Sequence, residues 1–352
     1  LIMKVYKTKD IKNIAIIGSS GSGKTTLAEA ILFESGVIKR RGSVEAGNTV
    51  CDYFPVEKEY GYSVFSTLFS IEWKDKMMNF IDCPGSDDFV GGVISALHVT
   101  DTALMVIHAG NGVEVGTINQ FRYTDSLHKP LVFLINQMDN EKADYDNTLN
   151  SLKEMYGNKV IPIQYPIGSG SHFAAIVDVL KQKMYKWNPG DTAPAVLDIP
   201  SEEKEKADEL YRQLLEAAAE NDETLMEKYF DQGTLSEEEM RDGIQKGLIS
   251  RSIFPVFCAS SAKNMAVHRL MNFLSMVAPS PDQMPAPVDN AGNEVKPDPT
   301  APTSLFFFKT TVEPHIGEVS YFKVMSGTVK EGDDLTNANR GSKERLAQIQ
   351  TV

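Results

Sequence analysis

The stretch IAIIGSSGSGKTT, residues 14–26, decides how this 352-residue chain folds. Its first four residues are apolar and typical of a strand, and the residues that follow Lys24 have the periodicity of a helix. The segment between them fits G-x-x-x-x-G-K-[ST], a loop whose backbone N–H groups face phosphate groups at a helix N-terminus. A glycine-rich turn that only caps a helix is the alternative, and the agreement of motif, strand and helix outweighs it. The sequence therefore predicts a nucleotide as the ligand.

The roles within this loop follow from its chemistry. We expect Lys24 to reach the β- and γ-phosphates of the nucleotide and the Thr25 hydroxyl to ligate Mg²⁺. The predicted phosphate-binding residues are Gly18, Ser19, Ser20, Gly21, Ser22, Gly23, Lys24, Thr25 and Thr26.

Short apolar runs rich in β-branched residues recur along the chain, and several are followed directly by Gly, Asp or Asn. Segments of helical periodicity lie between several of these runs. This alternation predicts an α/β fold, a mostly parallel sheet with helices on both faces, whose ligand lies at the carboxyl ends of the strands. The predicted strands are residues 14–17, 78–81, 103–107, 131–135, 160–163 and 255–258.

The alternation stops near Pro162 and resumes at Ile253. This break predicts an α/β subdomain at 161–252 that is inserted into a nucleotide-binding domain made of 1–160 and 253–282. Within the insertion, HFAAIVDVLKQKMYKW is typical of a further strand or helix, and DELYRQLLEAAAENDETLMEKYF is typical of one amphipathic helix.

The composition changes after the second part of that domain. Seven prolines fall between residues 279 and 302, and they predict a stiff, solvated linker at 283–302. Beyond it, apolar alternation with Gly-containing turns predicts antiparallel β structure at 303–352. A domain of about 50 residues would be only marginally stable, so we expect these residues to be the incomplete start of a second domain in a longer protein.

The net charge of −13 argues at first against a nucleic-acid partner. Residues 201–242 alone carry a net charge of −10, however, and the rest of the chain is nearly neutral. Three scattered cysteines fit neither a disulfide framework nor a zinc site, and they indicate reduced thiols in a cytoplasmic protein. No apolar run reaches membrane-spanning length and no signal peptide opens the chain, so we expect no membrane partner.

A strand-like run ends in NQMD, which is Asn136, Gln137, Met138 and Asp139, close to the N-K-x-D pattern that binds guanine. A carboxylate at Asp139 would accept hydrogen bonds from the guanine N1–H and from the exocyclic amine, which adenine lacks. The pattern alone is a common turn, but its order after a phosphate loop makes GTP or GDP the expected nucleotide. We expect the Gln137 methylenes to cover the purine. Without an ammonium group, Gln137 should not join this loop to the phosphate loop, which would weaken affinity.

Two further loops complete the predicted nucleotide site. One is ASS after the strand PVFC, where backbone groups would contact the guanine oxygen. The other is DCPGS, in which Asp82 would hold Mg²⁺ through a water and the Gly85 N–H would contact the γ-phosphate. The predicted contacts from these loops are Ser260, Ser261, Asp82, Cys83, Pro84, Gly85 and Ser86.

The motifs GSSGSGKTTLAEAILFESGVI, DCPGSDDFVGGVISAL, NQMD and PVFCASSAKN together resemble bacterial elongation factor G, a family of translational GTPases. The resemblance covers essentially the whole chain and continues into FKTTVEPHIGEVSYFKVMSGTVKEGD, which is similar to the start of the family's β-barrel second domain. It implies a GTPase domain that binds GTP or GDP with Mg²⁺ and acts in ribosomal translocation. Ribosomal protection proteins and peptide-release GTPases share the nucleotide motifs, but the insertion fits elongation factor G better.

The sequence departs from this family at three positions that concern hydrolysis. Ser86 stands where the family usually has the His that orients the attacking water, and Ser is too short to reach the same point. EYGYS at residues 59–63 replaces E-R-G-I-T, so the Arg is absent and Ser63 takes the place of the metal-binding Thr. Gly21 replaces an Asp that helps to neutralise transition-state charge. Because catalysis in this class depends on positioning and electrostatics, we expect hydrolysis to be weak or lost.

The resemblance therefore assigns catalytic positions to Lys24, Gly85 and Ser86, and metal positions to Thr25, Ser63 and Asp82. The leading hypothesis is a GTP-binding translocation factor with impaired hydrolysis. A fully active GTPase would need another water-positioning group, and the adjacent carboxylates of DCPGSDDF would be repelled by the γ-phosphate. A third hypothesis is a ribosome-bound regulator or protection factor that uses GTP as a conformational clamp.

The resemblance also implies partners. They are the ribosome, its stalk protein through the acidic insertion, and ribosomal RNA and tRNA mainly through domains outside this sequence. A merely solvated helix face is the alternative explanation for the acidic segment.

Overall fold

The computed structural model describes residues 5–188, 193–313 and 316–350. The few other positions within the predicted domain bounds lie outside this described part. Its strands are β1 (Ile11–Ile17), β2 (Thr67–Trp73), β3 (Lys76–Asp82), β4 (Thr102–His108), β5 (Leu131–Asn136), β6 (Val160–Pro162), β7 (Gln164–Ile167), β8 (Ala175–Asp178), β9 (Lys183–Lys186), β10 (Ala195–Leu197), β11 (Phe254–Cys258), β12 (Ser304–Glu313), β13 (Gly317–Ser326), β14 (Asp334–Thr336) and β15 (Lys343–Arg345).

The α-helices alternate with the first strands and then cluster before β11. They are α1 (Lys24–Glu34), α2 (Pro55–Tyr60), α3 (Val90–Val99), α4 (Val115–Ser126), α5 (Tyr145–Tyr156), α6 (Lys204–Ala219), α7 (Glu223–Gln232), α8 (Glu237–Ser250) and α9 (Val267–Val277). Within the described ranges, none of these helices has both the length and the apolar character needed to cross a membrane.

The main sheet has seven strands in the order β2-β3-β1-β4-β5-β11-β6. Every neighbouring pair is parallel except β2 and β3. Strands β4, β5 and β11 are buried along almost their whole length, which explains why they are continuous apolar runs in the sequence. The predicted α/β class with a mostly parallel sheet is confirmed.

Strand β2 was absent from the predicted set. Its sequence TLFSIEW alternates buried and partly exposed residues, because β2 pairs with β3 in antiparallel fashion at the edge of the sheet. Such a pattern is weaker than a continuous apolar run, since polar residues occupy the exposed positions.

Between β6 and β11 the chain forms an antiparallel sheet, in the order β10-β9-β8-β7, and the helices α6, α7 and α8. The segment expected to be a strand or a helix forms the two strands β8 and β9. The expectation of a single amphipathic helix was wrong, because the chain breaks between α6 and α7. There the Asp222 carboxylate accepts a hydrogen bond from the Leu225 N–H and caps α7 instead of continuing α6.

A buried ion pair joins these elements to the main domain. Arg269 of α9 donates from Nε and Nη2 to Asp178 Oδ2 of β8, at 3.0 and 2.6 Å. Both side chains are largely buried, and the apolar residues on the two sides form one continuous core. These elements are therefore packed against the main domain through a shared core, although their sheet is separate from the main sheet.

Strands β12 and β13 form the predicted antiparallel structure after the linker, and this hairpin lies against the main domain. Lys323 donates to the Val99 carbonyl at the end of α3, at 2.8 Å. Tyr53 donates its hydroxyl hydrogen to Glu313 Oε1 at 2.6 Å, and Lys309 donates to the Ser66 carbonyl. The hairpin thus contacts both ends of the segment 53–66, which includes α2.

Candidate functional site

The phosphate loop connects β1 to α1 at the carboxyl edge of the main sheet. Two of its glycines have conformations and surroundings that exclude a side chain. Gly18 has φ of 138°, and a Cβ there would overlap the Val106 carbonyl oxygen of β4. Gly23 has φ of 87°, and a Cβ there would lie 2.6 Å from the Nδ2 atom of Asn136. The ends of neighbouring strands therefore fix the path of the loop.

Lys24 begins α1, and its side chain folds back over the phosphate loop. Its ammonium group donates to the Ser19 carbonyl at 2.9 Å, and the side chain is almost fully buried. Burial lowers the pKa of Lys24, and the negative charge of Asp82 acts in the opposite direction. This arrangement provides a positive charge where phosphate oxygens would lie.

Helix α4 supports the phosphate loop from the side, although no motif indicated it. The Gly18 N–H donates to Gln120 Oε1 at 2.6 Å, and Gln120 Nε2 donates to the Gly18 carbonyl at 3.2 Å. The Ser19 and Thr117 hydroxyl oxygens lie 3.1 Å apart. Gln120 and Thr117 are buried polar residues on α4, and that placement could not be read from the sequence.

Three predicted metal-binding side chains meet beside the first turn of α1. Thr25 Oγ1 donates to Asp82 Oδ2 at 2.8 Å and lies 3.1 Å from Ser63 Oγ. The other carboxylate oxygen of Asp82 is buried without a hydrogen-bond partner. Burial raises the pKa of Asp82 to about 7; the Asp52 carboxylate adds to this effect and Lys24 opposes it.

Asp52 is a fourth polar side chain at this place, and the motifs did not reveal it. It is buried, and neither carboxylate oxygen has a hydrogen-bond partner of good geometry. Burial raises its pKa, although the Ser63 hydroxyl, the Lys24 ammonium group and the Thr25 hydroxyl lower it. The available signal was an acidic residue in the otherwise apolar and aromatic context CDYF.

The residues around Thr25 fit a Mg²⁺ ion. Buried carboxylates with unpaired oxygens cost free energy unless a proton or a cation compensates their charge. Magnesium prefers oxygen ligands and is usually held by one or two carboxylates together with phosphate oxygens and water. In the described ranges, no three His, Cys, Asp or Glu side chains are arranged to hold a metal without such help.

Asn136 ends β5 and joins the base loop to the phosphate loop. Its Nδ2 atom donates to the Ser22 carbonyl at 3.0 Å, and its Oδ1 atom accepts from the Ser261 N–H and hydroxyl at 3.0 and 2.8 Å. Asn136, Ser260 and Ser261 are all fully or almost fully buried. The carboxamide thus braces the loops around the place where a base would lie.

Gln137 makes a contact that the sequence analysis did not expect. Its Nε2 atom donates to the Gly21 carbonyl at 2.7 Å, so the amide makes the connection to the phosphate loop that we expected only an ammonium group to make. Gln137 adopts a left-handed φ of 62°, which turns its side chain back across the loop. The neutral amide can replace an ammonium group here because the Gly21 carbonyl oxygen needs only one N–H donor.

Met138 and Asp139 have different roles in the base loop: Met138 packs inside the protein, and Asp139 has an unpaired carboxylate oxygen. Met138 is fully buried, and its N–H donates to the Ala259 carbonyl at 3.1 Å, which fixes the loop against β11. Asp139 has a buried carboxylate oxygen, Oδ1, without a hydrogen-bond partner. That oxygen is free to accept N–H donors from a ligand.

The loop after β3 lies directly on the phosphate loop. Cys83 and Pro84 are buried, so they support the loop and are not available to a ligand as exposed side chains. A Cβ at Gly85 would lie 2.5 Å from Lys24 Nζ and 2.6 Å from the Ser20 nitrogen, so only glycine allows this approach.

Ser86 belongs to a local turn. Its Oγ atom caps the short helical turn after it, 3.4 Å from both the nitrogen and the carboxylate of Asp88. The Asp87 carboxylate accepts a hydrogen bond of 2.8 Å from Asn119 of α4. In this conformation neither of these carboxylates is held beside Lys24 and Gly85.

Residues 9–280 match the family model described as the elongation factor Tu GTP binding domain. An elongation factor G-like protein of Thermotoga maritima is 32% identical over 345 residues, which are 97% of this chain and 49% of that protein. An elongation factor G of Fervidobacterium nodosum is 34% identical over 345 residues, which are 96% of this chain and 50% of that protein.

A solved structure is also similar to this chain in fold and sequence. The crystal structure of a protein from Thermus thermophilus superposes with a TM-score of 0.84 and 30% sequence identity. It covers 96% of this chain, and the chain covers 48% of it. The chain thus spans about half the length of the relatives that it matches.

The Gln137 contact leads to a test. Replacing Gln137 with Ala removes one hydrogen bond between the base loop and the phosphate loop, and we expect GDP affinity to fall about three- to tenfold. Isothermal titration calorimetry measures this change, and Gln232→Ala at an exposed position of α7 is the matched control. An unchanged affinity would show that the Gln137 amide adds nothing to the site.

Proposed function

This chain belongs to the family of the elongation factor Tu GTP-binding domain, and on that premise we propose that it is a GTP-binding translation factor of the elongation factor G type. We propose that it works in the cytoplasm on the ribosome, in translocation, and that it hydrolyses GTP slowly or not at all.

The observation that carries the guanine assignment is the set of unpaired polar atoms at the ends of the loops. The Asp139 carboxylate has a buried free oxygen beside the base loop, and the Asp82 carboxylate has one beside Thr25. A guanine base would supply two N–H donors to the first, and a Mg²⁺ ion would supply positive charge to the second. The two sites flank a phosphate loop whose Lys24 is already folded over it.

Each residue of the site has a role in this proposal. Lys24 and backbone N–H groups of the loop after Gly18 bind the phosphates, and Thr25, Ser63 and Asp82, with Asp52, hold Mg²⁺ directly or through water. When bound, the ion neutralises charge on the phosphate oxygens. Asn136 orients the base loop, while Asp139 distinguishes guanine from adenine.

The weak-hydrolysis proposal depends on Ser86. A group that orients water must lie within hydrogen-bond reach of it, and the Ser86 hydroxyl is engaged in its own turn with Asp88. Asp87 is bound to Asn119, so the fully active alternative has no obvious substitute in this loop. A regulator or protection factor that uses GTP as a clamp fits the same binding site, and turnover measurements separate the fully active alternative from both of these.

The base assignment predicts a large preference for guanine. We expect the chain to bind GDP at least about 100-fold more tightly than ADP, because a site built to pair an amine strongly rejects a base that lacks it. We expect Asp139→Ala to abolish most of that preference. Calorimetry with both nucleotides measures it, and equal affinities of the unmodified chain would disprove the role of Asp139.

The catalytic proposal predicts a gain of function. In the native protein, Ser86→His should raise ribosome-stimulated GTP turnover about tenfold or more, because it supplies a water-orienting imidazole. GTP affinity should stay constant, and Ser169→His at an exposed loop position is the control. If the unmodified protein turns over as fast as the variant, hydrolysis is not impaired.

The acidic insertion supports a basic partner, and we propose the ribosomal stalk protein. Exposed glutamates lie at the spacing that places them on one face of α6 and at its C-cap, and Arg212 lies on the same face between them. Such a stripe attracts a basic surface and raises the rate of encounter. The residues of this stripe are Glu205, Glu209, Glu216 and Glu220.

Charge reversal tests the stalk proposal. In the native protein, combined Glu205→Lys, Glu209→Lys and Glu220→Lys should lower ribosome recruitment about tenfold at low salt, with a smaller effect at high salt. Cosedimentation with ribosomes measures recruitment. The control carries three reversals at exposed glutamates outside the insertion, Glu154, Glu318 and Glu331. Equal recruitment of both variants would show that the stripe is only a solvated helix face and does not bind the stalk protein.

A further inference from the structure

Glu57 is a buried carboxylate on the short helix α2, next to the metal-binding side chains but not among them. Its side chain is 1% exposed. Oε2 accepts a hydrogen bond from the Phe54 N–H at 3.2 Å, and Oε1 accepts from the Val64 and Phe65 N–H groups at 3.1 Å each. One carboxylate therefore closes the segment 54–65 into a loop.

The position of these bonds matters because Ser63 precedes Val64 directly. The Ser63 hydroxyl lies 3.1 Å from Thr25 Oγ1, at the proposed Mg²⁺ site. Between α2 and Ser63 the chain reverses at Gly61, which has φ of 69°. The bonds from the Val64 and Phe65 N–H groups to Glu57 hold the backbone that directly follows Ser63.

A second carboxylate fixes the preceding part of the same segment. Glu29 of α1 is buried and accepts hydrogen bonds from the N–H groups of Gly42 and Val50. The path from residue 42 to 65 is thus held by two acidic side chains that receive backbone donors. Glu57 is the one whose bonds lie beside Ser63.

The electrostatics agree with this role. Burial raises the pKa of Glu57, and the N–H groups of Phe65, Val64 and Phe54 lower it, while the Asp52 carboxylate raises it further. A buried carboxylate is retained only where such donors compensate its desolvation. Both carboxylate oxygens are therefore engaged with backbone donors of the same segment.

We propose that Glu57 is a positioning residue that holds Ser63 toward Thr25, so that loss of its carboxylate weakens the contribution of Mg²⁺ to nucleotide binding. The proposal rests on the proposed function for its ligand. It assigns no contact between Glu57 and nucleotide or metal. It predicts that binding without Mg²⁺ is insensitive to Glu57, because the phosphate loop and the base loop do not contact it.

The test combines two measurements on three variants. Glu57→Ala removes both acceptors, Glu57→Gln keeps one acceptor and the shape, and Glu59→Ala is the control at an exposed position of the same helix. Hydrogen exchange is measured without nucleotide at the Val64 and Phe65 amides. Affinity for a non-hydrolysable GTP analogue is then measured with Mg²⁺ and with the metal chelated.

We expect Glu57→Ala to speed exchange at both amides about tenfold or more and to raise the Mg²⁺ concentration for half-maximal enhancement of binding about tenfold. Glu57→Gln should fall between Glu57→Ala and the unmodified chain. Affinity in chelator should stay within about twofold. Unchanged exchange of β5 amides shows that the variants are folded.

Each other result overturns the proposal. Unchanged exchange at Val64 and Phe65 would show that Glu57 does not hold the segment, whether or not the chain binds nucleotide. Faster exchange with an unchanged Mg²⁺ requirement would show that it holds the segment without positioning Ser63. If the unmodified chain binds no GTP analogue at all, the proposed function fails, and the exchange result still decides the structural role.

Discussion

The Asn136 carboxamide joins three loops that come from distant parts of the chain, and the shape of the nucleotide site depends on that junction. Its amide donates to the phosphate loop at Ser22, and its carbonyl accepts twice from Ser261. Asn136 is fully buried, so an unpaired donor or acceptor there would cost free energy comparable to a lost hydrogen bond. The three loops are therefore coupled: one cannot move far without exposing or breaking the bonds of the others.

Much of this architecture could be predicted because its signals are local. Strands buried on both faces are continuous apolar runs, as in β4 and β5, and the phosphate loop is marked by Gly18 and Gly23, where a Cβ would overlap neighbouring atoms. The features that were missed depend on tertiary contacts. Asp52 lies close to Lys24 and Thr25, and Gln120 is hydrogen-bonded to Gly18, so both depend on residues that are distant in sequence. The Asp222 cap divides a segment whose apolar periodicity is uninterrupted. The Gln137 amide was misjudged because its reach depends on a left-handed backbone angle.

Binding and hydrolysis of a nucleotide make different demands on such a site. Binding needs donors and acceptors at fixed positions, and the loops supply them through buried groups with defined partners. Hydrolysis needs one more group that orients water, and the residue at that position, Ser86, is the cap of its own turn.

The hairpin β12–β13 contacts both ends of the segment 53–66, through Tyr53 and Glu313 at one end and Lys309 and Ser66 at the other. The segment is therefore hydrogen-bonded to the hairpin at both of its ends, and Ser63, near the second end, lies 3.1 Å from Thr25 Oγ1. A partner whose binding to the hairpin displaced this segment would change the affinity of the site for its ligand. By thermodynamic reciprocity, the ligand would then change the affinity of the hairpin for that partner by the same factor.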